Sequence, residues 1–256
     1  MTTSNSNPST VTLLDVPVHR VTMAETLSYI EQFLAASNLH QIATVNPEFV
    51  MAAQKDPVFL MVLQQASLCI PDGVGLLWAS RILGERLPER VAGSELVYHL
   101  AQLTAENNHR LFLLGAAPGV AEEAAAVLQK RYPGLTIAGT YAGSPDTAEN
   151  DAIVQRINES AADLLFVAYG APRQDKWIAR NRERLTTVRV AIGVGGSLDF
   201  ISGRSVRAPQ WTQRLGIEWL YRLYREPWRW RRMLALPHFA LRILAARLRK
   251  KTTATN

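Results

Sequence analysis

Segments typical of strands and of helices alternate along almost the whole chain, and this alternation restricts the fold more than any other feature of the sequence. Between the apolar runs, hydrophobic residues recur at helical spacing. The runs that predict strands of a main sheet are 41–45, 67–70, 110–114, 135–140, 164–168 and 188–192. Because strands that alternate with helices are joined by right-handed crossovers, we predict an α/β fold whose mainly parallel sheet has helices on both faces.

Local signals place several helix starts and one hairpin. Thr22 and Glu25 have the spacing of a capping box, and Pro47 and Pro57 are each predicted to be the first residue of a helix. Ser94 is predicted to cap another helix. Near the start of the chain, a short hairpin is predicted with its turn at 15–17.

The size and composition of the chain fit one α/β domain with an appendage. Its 256 residues are 48% hydrophobic, which is enough for a large core. No apolar run approaches the roughly 18 residues that span a bilayer, and no secretory signal is visible at the start. The single cysteine, Cys69, excludes a disulfide framework and indicates a reducing compartment. We predict a loose tail at 1–10, the α/β domain at 11–205 and a basic, tryptophan-rich helical appendage at 206–256.

Positive charge is concentrated at the C-terminal end. The chain carries a net charge of +6, and every charged residue from 207 to 256 except Glu218 and Glu226 is arginine or lysine. Such asymmetry indicates an anionic partner for this segment. Nucleic acid, an acidic membrane surface and a phosphorylated substrate are all open at this point.

One acidic residue directly follows a predicted strand. The apolar run 67–70 ends at Pro71, and Asp72 and Gly73 lead into a helical pattern that begins near Val74. Ligands of open α/β sheets bind at the carboxyl ends of the strands, so Asp72 is a candidate catalytic carboxylate at that edge. An equally open interpretation is that Asp72 only caps the following helix.

Three other predicted strands end in turns that contain glycine, at Gly115, at Gly170 and at 193–196. Backbone amides in such turns, beside a helix N-terminus, favour phosphate. None of these turns has the P-loop pattern or the GxGxxG spacing of a dinucleotide fingerprint, so they favour a nucleotide-type ligand only as a group. An Asp-x-Asp pair is absent, and the five histidines lack the spacing of metal ligands, so no metal site is predicted.

Eight short blocks of the sequence stand in the order and spacing of one family. They are 44–48 (TVNPE), 71–75 (PDGVG), 90–94 (RVAGS), 113–115 (LLG), 170–175 (GAPRQD), 194–200 (VGGSLDF), 207–209 (RAP) and 218–223 (EWLYRL). On these blocks, the chain resembles the WecG/TagA/CpsF glycosyltransferases from about residue 11 to residue 232.

The resemblance implies an inverting transferase of bacterial cell-envelope polysaccharide synthesis, such as teichoic acid synthesis. It would move N-acetylmannosamine or its uronic acid from a UDP-sugar donor to N-acetylglucosamine on undecaprenyl diphosphate. It further implies a Rossmann-like core, a C-terminal helical appendage that touches the membrane, and chemistry without a metal or another cofactor. The protein would then be cytoplasmic and peripheral on the inner face of the cell membrane, without a nucleic-acid partner. A different hexosyl donor, such as glucuronic acid or glucose, stays open.

The matching motif positions also imply roles for residues near the first two strands of the main sheet. Asp72 matches the proposed catalytic base, which would take the proton of the acceptor hydroxyl. Thr44 and Asn46 match catalytic positions that line the same pocket, with a helix cap ahead of Pro47 as the less favoured alternative. Arg90 is the candidate that stabilises the departing diphosphate, because its guanidinium suits phosphate oxygens. A surface salt bridge is the alternative role of Arg90.

The predicted nucleotide-binding residues lie in the glycine turns. Gln174 matches the glutamine of the family's Gly-x-Pro-Lys-Gln-Glu block and is expected to reach the nucleotide-sugar. Arg173 and Asp175 replace the commoner lysine and glutamate on either side of it. The glycines that are candidates for binding the donor are Gly115, Gly170, Gly195 and Gly196.

The C-terminal segment is predicted to dock on an anionic membrane surface. Arg222 and Arg225 share one face of a predicted helix and are expected to bind the lipid diphosphate of the acceptor. Tryptophans are interleaved with the arginines, and leucines follow on an amphipathic stretch. Basic residues and tryptophan both favour the membrane interface, whereas the alternative is a solvated basic face with its tryptophans in the core. These helices would pack on their own core or on a second subunit, which leaves a homo-oligomer open.

Two other functional classes account for part of the sequence. A nucleotide-dependent oxidoreductase would share the α/β alternation, but the dinucleotide fingerprint and an acidic residue for the ribose are missing. A non-enzymatic nucleic-acid-binding protein would explain the basic C-terminal segment. It would, however, leave Thr44, Asp72 and Gln174 without a role.

Overall fold

The computed structural model describes residues 8–205 and 233–253. A separate hairpin is formed by β1 (Thr10–Leu13) and β2 (Val16–His19), and the main sheet consists of β3 (His40–Val45), β4 (Leu68–Pro71), β5 (Arg110–Gly115), β6 (Thr136–Tyr141), β7 (Leu164–Ala168) and β8 (Val190–Gly193). The strands of the main sheet lie in the order β4-β3-β8-β7-β5-β6. Every pairing between neighbouring strands of this sheet is parallel, which confirms the predicted α/β class.

Helices precede or follow nearly every strand of the main sheet. They are α1 (Met23–Leu34), α2 (Pro47–Ala53), α3 (Pro57–Gln65), α4 (Val74–Ile82), α5 (Gly93–Glu106), α6 (Val120–Arg131), α7 (Asn150–Glu159), α8 (Arg173–Asn181), α9 (Ser197–Ile201) and, after residues 206–232, the C-terminal helix (Ala235–Thr253).

Helices cover both faces of the main sheet. Alternate side chains of each strand therefore pack in different cores. In β7, Phe166 packs in a core that includes residues of α1, α5, α6 and α9, whereas Val167 packs on the opposite face with α7 and α8. On that second face, the hairpin, α2, α3, α4 and the C-terminal helix pack around Ala43 and Cys69 of β3 and β4. This doubly covered arrangement explains why the strands read as continuous apolar runs.

Most of the local signals are confirmed. Thr22 Oγ1 accepts a hydrogen bond from Glu25 N at 3.2 Å, and Glu25 Oε2 accepts one from Thr22 N at 2.8 Å, so the capping box is present. Pro47 and Pro57 begin α2 and α3 as predicted. The cap predicted at Ser94 is wrong, because α5 begins at Gly93 with Ala92 at the N-cap position.

The predicted position of the hairpin turn is also wrong. Leu14 and Asp15 form the turn, with φ angles of 49° and 69°. Pro17 instead lies within β2, opposite Thr12. Because β2 is paired with β1 in a sheet of only two strands, it is an edge strand, where the missing N–H of proline is tolerated.

The connections that leave the neighbouring strands β5 and β7 run toward opposite edges of the sheet. From β5 the chain passes through α6 to β6 at one edge of the sheet, and from β7 it passes through α8 to β8, toward the other edge. Diverging connections of this kind form a topological switch point, where open α/β sheets bind ligands at the carboxyl ends of the strands. The topology of the sheet therefore predicts a ligand-binding site at the turns after β5, β7 and β8.

The C-terminal helix covers part of the second face. Its inner side buries Phe239 and Ile243, and the helix packs against α2 and α4. Its outer side exposes Leu241 and Leu248, with 65% and 67% of their surface accessible. None of the helices in the described part of the chain is long and apolar enough to cross a membrane.

Candidate functional site

Asp72 lies at the carboxyl end of β4, at the edge of the sheet where the first predicted site was expected. Its backbone N donates a 2.7 Å hydrogen bond to Val45 O, which ties it to the end of the neighbouring strand β3. Gly73 has a φ of 138°, which favours glycine, and it occupies the N-cap position of α4. Asp72 therefore precedes the cap instead of providing it, and its side chain is 28% exposed at the mouth of the site.

Arg90 is brought to Asp72 by the connection between α4 and α5. Its Nε lies 3.9 Å from Asp72 Oδ1, and its side chain is 20% exposed. The next residue, Val91, donates a 2.9 Å hydrogen bond from its backbone N to Pro71 O. A guanidinium and a carboxylate thus lie together in a partly buried position, and the role of Arg90 toward the departing diphosphate stays a prediction.

Thr44 lies on the neighbouring strand, next to Asp72. A Cβ atom at Gly93, the first residue of α5, would lie 3.0 Å from Thr44 Cγ2 and 3.3 Å from Asp72 Oδ2. Gly93 thus packs against both side chains and closes one wall of the site. Thr44 is 8% exposed, and its Oγ1 donates a long 3.4 Å hydrogen bond to Gly193 O at the end of β8.

Asn46 acts as a helix cap, the role that the sequence analysis favoured less. Its Oδ1 accepts a 3.0 Å hydrogen bond from Phe49 N in the first turn of α2. The preference against a cap was therefore wrong. A cap occupies only the carbonyl oxygen of the side chain, so the predicted contact of Asn46 with the substrate stays a prediction.

Gln174 connects two of the glycine turns. Its side chain is 2% exposed, and Oε1 accepts hydrogen bonds from Gly170 N at 3.1 Å and from Gly195 N at 3.0 Å. A Cβ atom at Gly193 would lie 2.3 Å from Gln174 Nε2, so the amide fills the space above that glycine. The carbonyl oxygen of Gln174 is thus used to join the turns after β7 and β8, and its contact with a nucleotide-sugar stays a prediction.

The remaining candidate glycines mark the ends of three strands. Gly115, Gly170 and Gly195 have φ angles of 97°, 74° and 53°, and Gly196 occupies the N-cap position of α9. The turn after β5 is tied to β7 by a 3.1 Å hydrogen bond from Ala116 N to Ala168 O. Gly115 and Gly170 therefore lie at the topological switch point, and Gly195 and Gly196 lie one strand closer to Asp72.

The structure thus brings the predicted residues together in two groups along one edge of the sheet. The first group surrounds the ends of β3 and β4, and the second surrounds the ends of β5, β7 and β8. Arg222 and Arg225 fall outside the described residues. Within residues 8–205 and 233–253, no three histidine, cysteine or acidic side chains are grouped so that they could hold a metal ion.

Sequence reasoning missed two features of this region. Gly93 was not recognised, although a glycine directly before a helical pattern in the block 90–94 was a usable signal of close approach. Asp175, which follows Gln174, is fully buried, and among the described residues neither of its carboxylate oxygens has a hydrogen-bond partner. Burial raises the pKa of Asp175 to about 7. Its own backbone N–H and the Gln174 amide lie near the carboxylate without forming hydrogen bonds of good geometry, so they oppose this rise only in part.

The chain is similar to known proteins over most of its length. A family model described as "Glycosyl transferase WecG/TagA/CpsF family" matches residues 11–253. A protein of Bacillus subtilis (strain 168), named N-acetylglucosaminyldiphosphoundecaprenol N-acetyl-beta-D-mannosaminyltransferase, is 36% identical over 95% of this chain and 94% of its own length. A protein of Staphylococcus aureus (strain MRSA252) with the same name is 34% identical over 96% of both chains.

Proposed function

The chain belongs to the WecG/TagA/CpsF family of glycosyltransferases, and from this membership we propose that it transfers N-acetylmannosamine from UDP to N-acetylglucosaminyldiphosphoundecaprenol. The relatives from Bacillus and Staphylococcus carry this acceptor and this sugar in their names. The observation that supports the proposal most directly is the Asp72 carboxylate, partly exposed at the end of β4 and 3.9 Å from the Arg90 guanidinium.

Asp72 acts as the general base. The acceptor hydroxyl attacks the anomeric carbon from the face opposite UDP, and the new carbon–oxygen bond forms while the bond to the diphosphate breaks. The bonding electron pair stays on UDP, and the proton of the hydroxyl passes to Asp72. A single displacement inverts the anomeric carbon and needs one base, whereas a retaining glycosidase needs two carboxylates.

Arg90 stabilises the charge that develops on the departing diphosphate. A guanidinium is always charged, and its planar donors match phosphate oxygens. Its partial burial strengthens the interaction, because the surrounding protein has a lower dielectric constant than water.

The donor lies across the carboxyl edge of the sheet. Strands β4 and β7 are separated by three strand spacings, which amounts to about 14 Å. The sugar is placed at Asp72 and Thr44, and the diphosphate and nucleoside extend over Gly195 and Gly170 toward the switch point at Gly115. Backbone amides in these turns receive the phosphates.

The C-terminal helix contacts the membrane that holds the acceptor. The sequence of this helix contains no acidic residue, and its outer face exposes leucines. Arg242 and Arg249 are also exposed, and Arg242 donates a hydrogen bond to Gln54 Oε1 beside α2. Basic residues near anionic lipid contribute about 1 kcal/mol each. The proposed location is therefore the inner, anionic face of the cell membrane, with the enzyme bound peripherally.

The test of the proposed function is release of UDP from a panel of UDP-sugars. The acceptor is N-acetylglucosaminyl diphospholipid, and a chelator is present. Acceptor-dependent turnover is expected with UDP-N-acetylmannosamine, and Asp72→Asn is expected to lower it at least about 100-fold, the usual scale for a general base. Faster turnover with another UDP-sugar would show that this sugar, and not UDP-N-acetylmannosamine, is the donor.

Asp151→Asn is the matched control, because Asp151 is a carboxylate of α7 with 87% of its side chain exposed. It is expected to keep wild-type turnover. Full activity of Asp72→Asn would contradict the role of Asp72, and the absence of turnover with every donor would contradict the proposed acceptor or the transfer reaction.

A further inference from the structure

The loop between α4 and α5 (residues 83–92, the Arg90 loop) is the element that carries Arg90 to Asp72. Its middle is held by Leu87, which is 4% exposed and donates a 3.2 Å hydrogen bond from its N to Ser80 Oγ. Its end is held by the hydrogen bond from Val91 N to Pro71 O. These contacts fix the backbone on both sides of Arg90 relative to α4 and β4.

Two glutamates of the Arg90 loop contact the segment that leads from β2 into the first residue of α1. Glu85 Oε2 accepts a 3.0 Å hydrogen bond from Arg20 Nη2 in an ion pair. Glu89 Oε1 accepts a hydrogen bond from the backbone N of Met23, the first residue of α1. A carboxylate is favoured at this position, because the N-terminus of a helix carries partial positive charge.

The contact between Arg90 and Asp72 does not by itself fix the direction of the guanidinium. At 3.9 Å, the distance from Nε to Oδ1 exceeds that of a hydrogen bond. A charge–charge contact of this length lacks the angular preference that a hydrogen bond would impose. The backbone of the Arg90 loop therefore contributes to where the Arg90 guanidinium lies.

We propose that Glu85 and Glu89 are positioning residues for the transfer reaction, which hold the Arg90 loop against the start of α1 so that Arg90 faces the departing diphosphate. This inference rests on the proposed role of Arg90. Glu89 precedes Arg90 directly in the chain, so its bond to Met23 N removes freedom at the residue that carries the charge. The start of α1 thereby becomes part of the support of the active site.

The test is a double-mutant cycle between the two glutamates and Arg90. The combined variant Glu85→Gln/Glu89→Gln keeps the shape of both side chains and removes their charge. It is expected to lower kcat about tenfold, since a misplacement of about 1 Å can cost up to 100-fold. KM for the donor is expected to stay nearly unchanged, because the lost interaction belongs to the transition state. In an Arg90→Ala background, the same pair of substitutions is expected to have less than about a twofold effect.

Glu25→Gln is the matched control. Glu25 also stabilises the N-terminus of α1, through the capping box with Thr22, but it does not belong to the Arg90 loop. It is expected to lower the melting temperature without changing kcat. This separates a general loosening of α1 from a displaced Arg90.

An equal loss of kcat from Glu85→Gln/Glu89→Gln with and without Arg90 would overturn the proposal. A loss of kcat in Glu25→Gln of the same size would overturn it as well, because stability alone would then account for the effect. Full activity of Arg90→Ala would instead show that Arg90 has no role in the transfer, and the positioning role would fall with it.

Discussion

At the scale of single residues, Asp175 is a carboxyl group buried in an apolar environment that opposes its ionisation. It is fully buried in the first turn of α8, and burial raises its pKa to about 7 from an ordinary value of 3.8. In the unfolded chain the group would ionise near pH 3.8, whereas in the folded protein it stays neutral until about pH 7. The folded state therefore binds more protons between these values, and the free energy of unfolding falls as the pH rises through this window.

The substitution Asp175→Asn removes this ionisation. Between pH 4 and pH 8, the difference in the free energy of unfolding between variant and wild type is expected to change in favour of the variant by on the order of 4 kcal/mol, at 1.36 kcal/mol per pKa unit. Urea unfolding at a series of pH values measures this difference. A flat difference for Asp175→Asn would mean that its pKa is not raised.

Gln174 illustrates what can and cannot be predicted about a single residue. Its place in the block 170–175 correctly indicated a position at the carboxyl edge of the sheet. Its partners could not be predicted, because Gly195 N belongs to a different turn and is 21 residues away. For Asp72, the sequence left catalyst and cap equally open, and the choice of Gly73 as the cap followed only from the backbone angles of that glycine.

At the scale of elements, the start of α5 packs closely against the candidate catalytic residues Thr44 and Asp72. Gly93 leaves little room for a side chain, because a Cβ atom would lie 3.0 Å from Thr44 Cγ2 and 3.3 Å from Asp72 Oδ2. Either the helix or these two side chains would have to move to accept a methyl group. The position of α5 and the geometry of the catalytic site are therefore coupled.

We expect Gly93→Ala to lower kcat about tenfold while the protein stays folded, because a shift of a few tenths of an ångström at Asp72 misplaces the base. Steady-state turnover and thermal melting measure the two effects separately. Gly134→Ala is the matched control, since a Cβ atom there would make only an ordinary contact of 3.4 Å with Ala105 O. Wild-type kcat in Gly93→Ala would contradict the coupling.

The elements that could be predicted are those whose signals are local. The capping box at Thr22 and the prolines at the starts of α2 and α3 act within a few residues, and the structure confirms them. The predicted position of the hairpin turn was wrong, because Leu14 and Asp15 adopt positive φ angles that neither residue type signals strongly. The predicted cap at Ser94 is wrong, because α5 begins one residue earlier, at Gly93, and Ala92 holds the N-cap position without a side-chain cap hydrogen bond.

At the scale of the whole molecule, the fold class could be predicted but the order of the strands could not. Alternating strands and helices imply a parallel sheet wherever they occur. The pairing of β3 with β8, however, joins residues such as His40 and Val190 that are far apart in the chain. Only the folded structure therefore shows that the turns after β3, β4 and β8 are neighbours, which is what places Asp72 near the glycines of the second group.

The proposal that the enzyme binds the membrane rests on the outer face of the C-terminal helix. A helix whose inner side already buries Phe239 and Ile243 would normally be polar on its outer side. Here the outer side exposes Leu241 and Leu248 among basic residues. Contact with anionic lipid would remove these leucines from water while the arginines meet the headgroups.

Leu241→Glu is expected to weaken binding of the full-length protein to vesicles rich in anionic lipid about tenfold, since burial of a leucine contributes roughly 1.5 to 3 kcal/mol. Co-sedimentation with vesicles, without donor or acceptor, measures binding independently of turnover. Val127→Glu, which adds the same charge at a 41% exposed residue of α6, is expected to bind like the wild type. An equal loss in both variants would mean that net charge alone governs binding. Unchanged binding of Leu241→Glu would mean that the outer face of the C-terminal helix does not enter the membrane, and the acceptor would then have to reach Asp72 past a different surface.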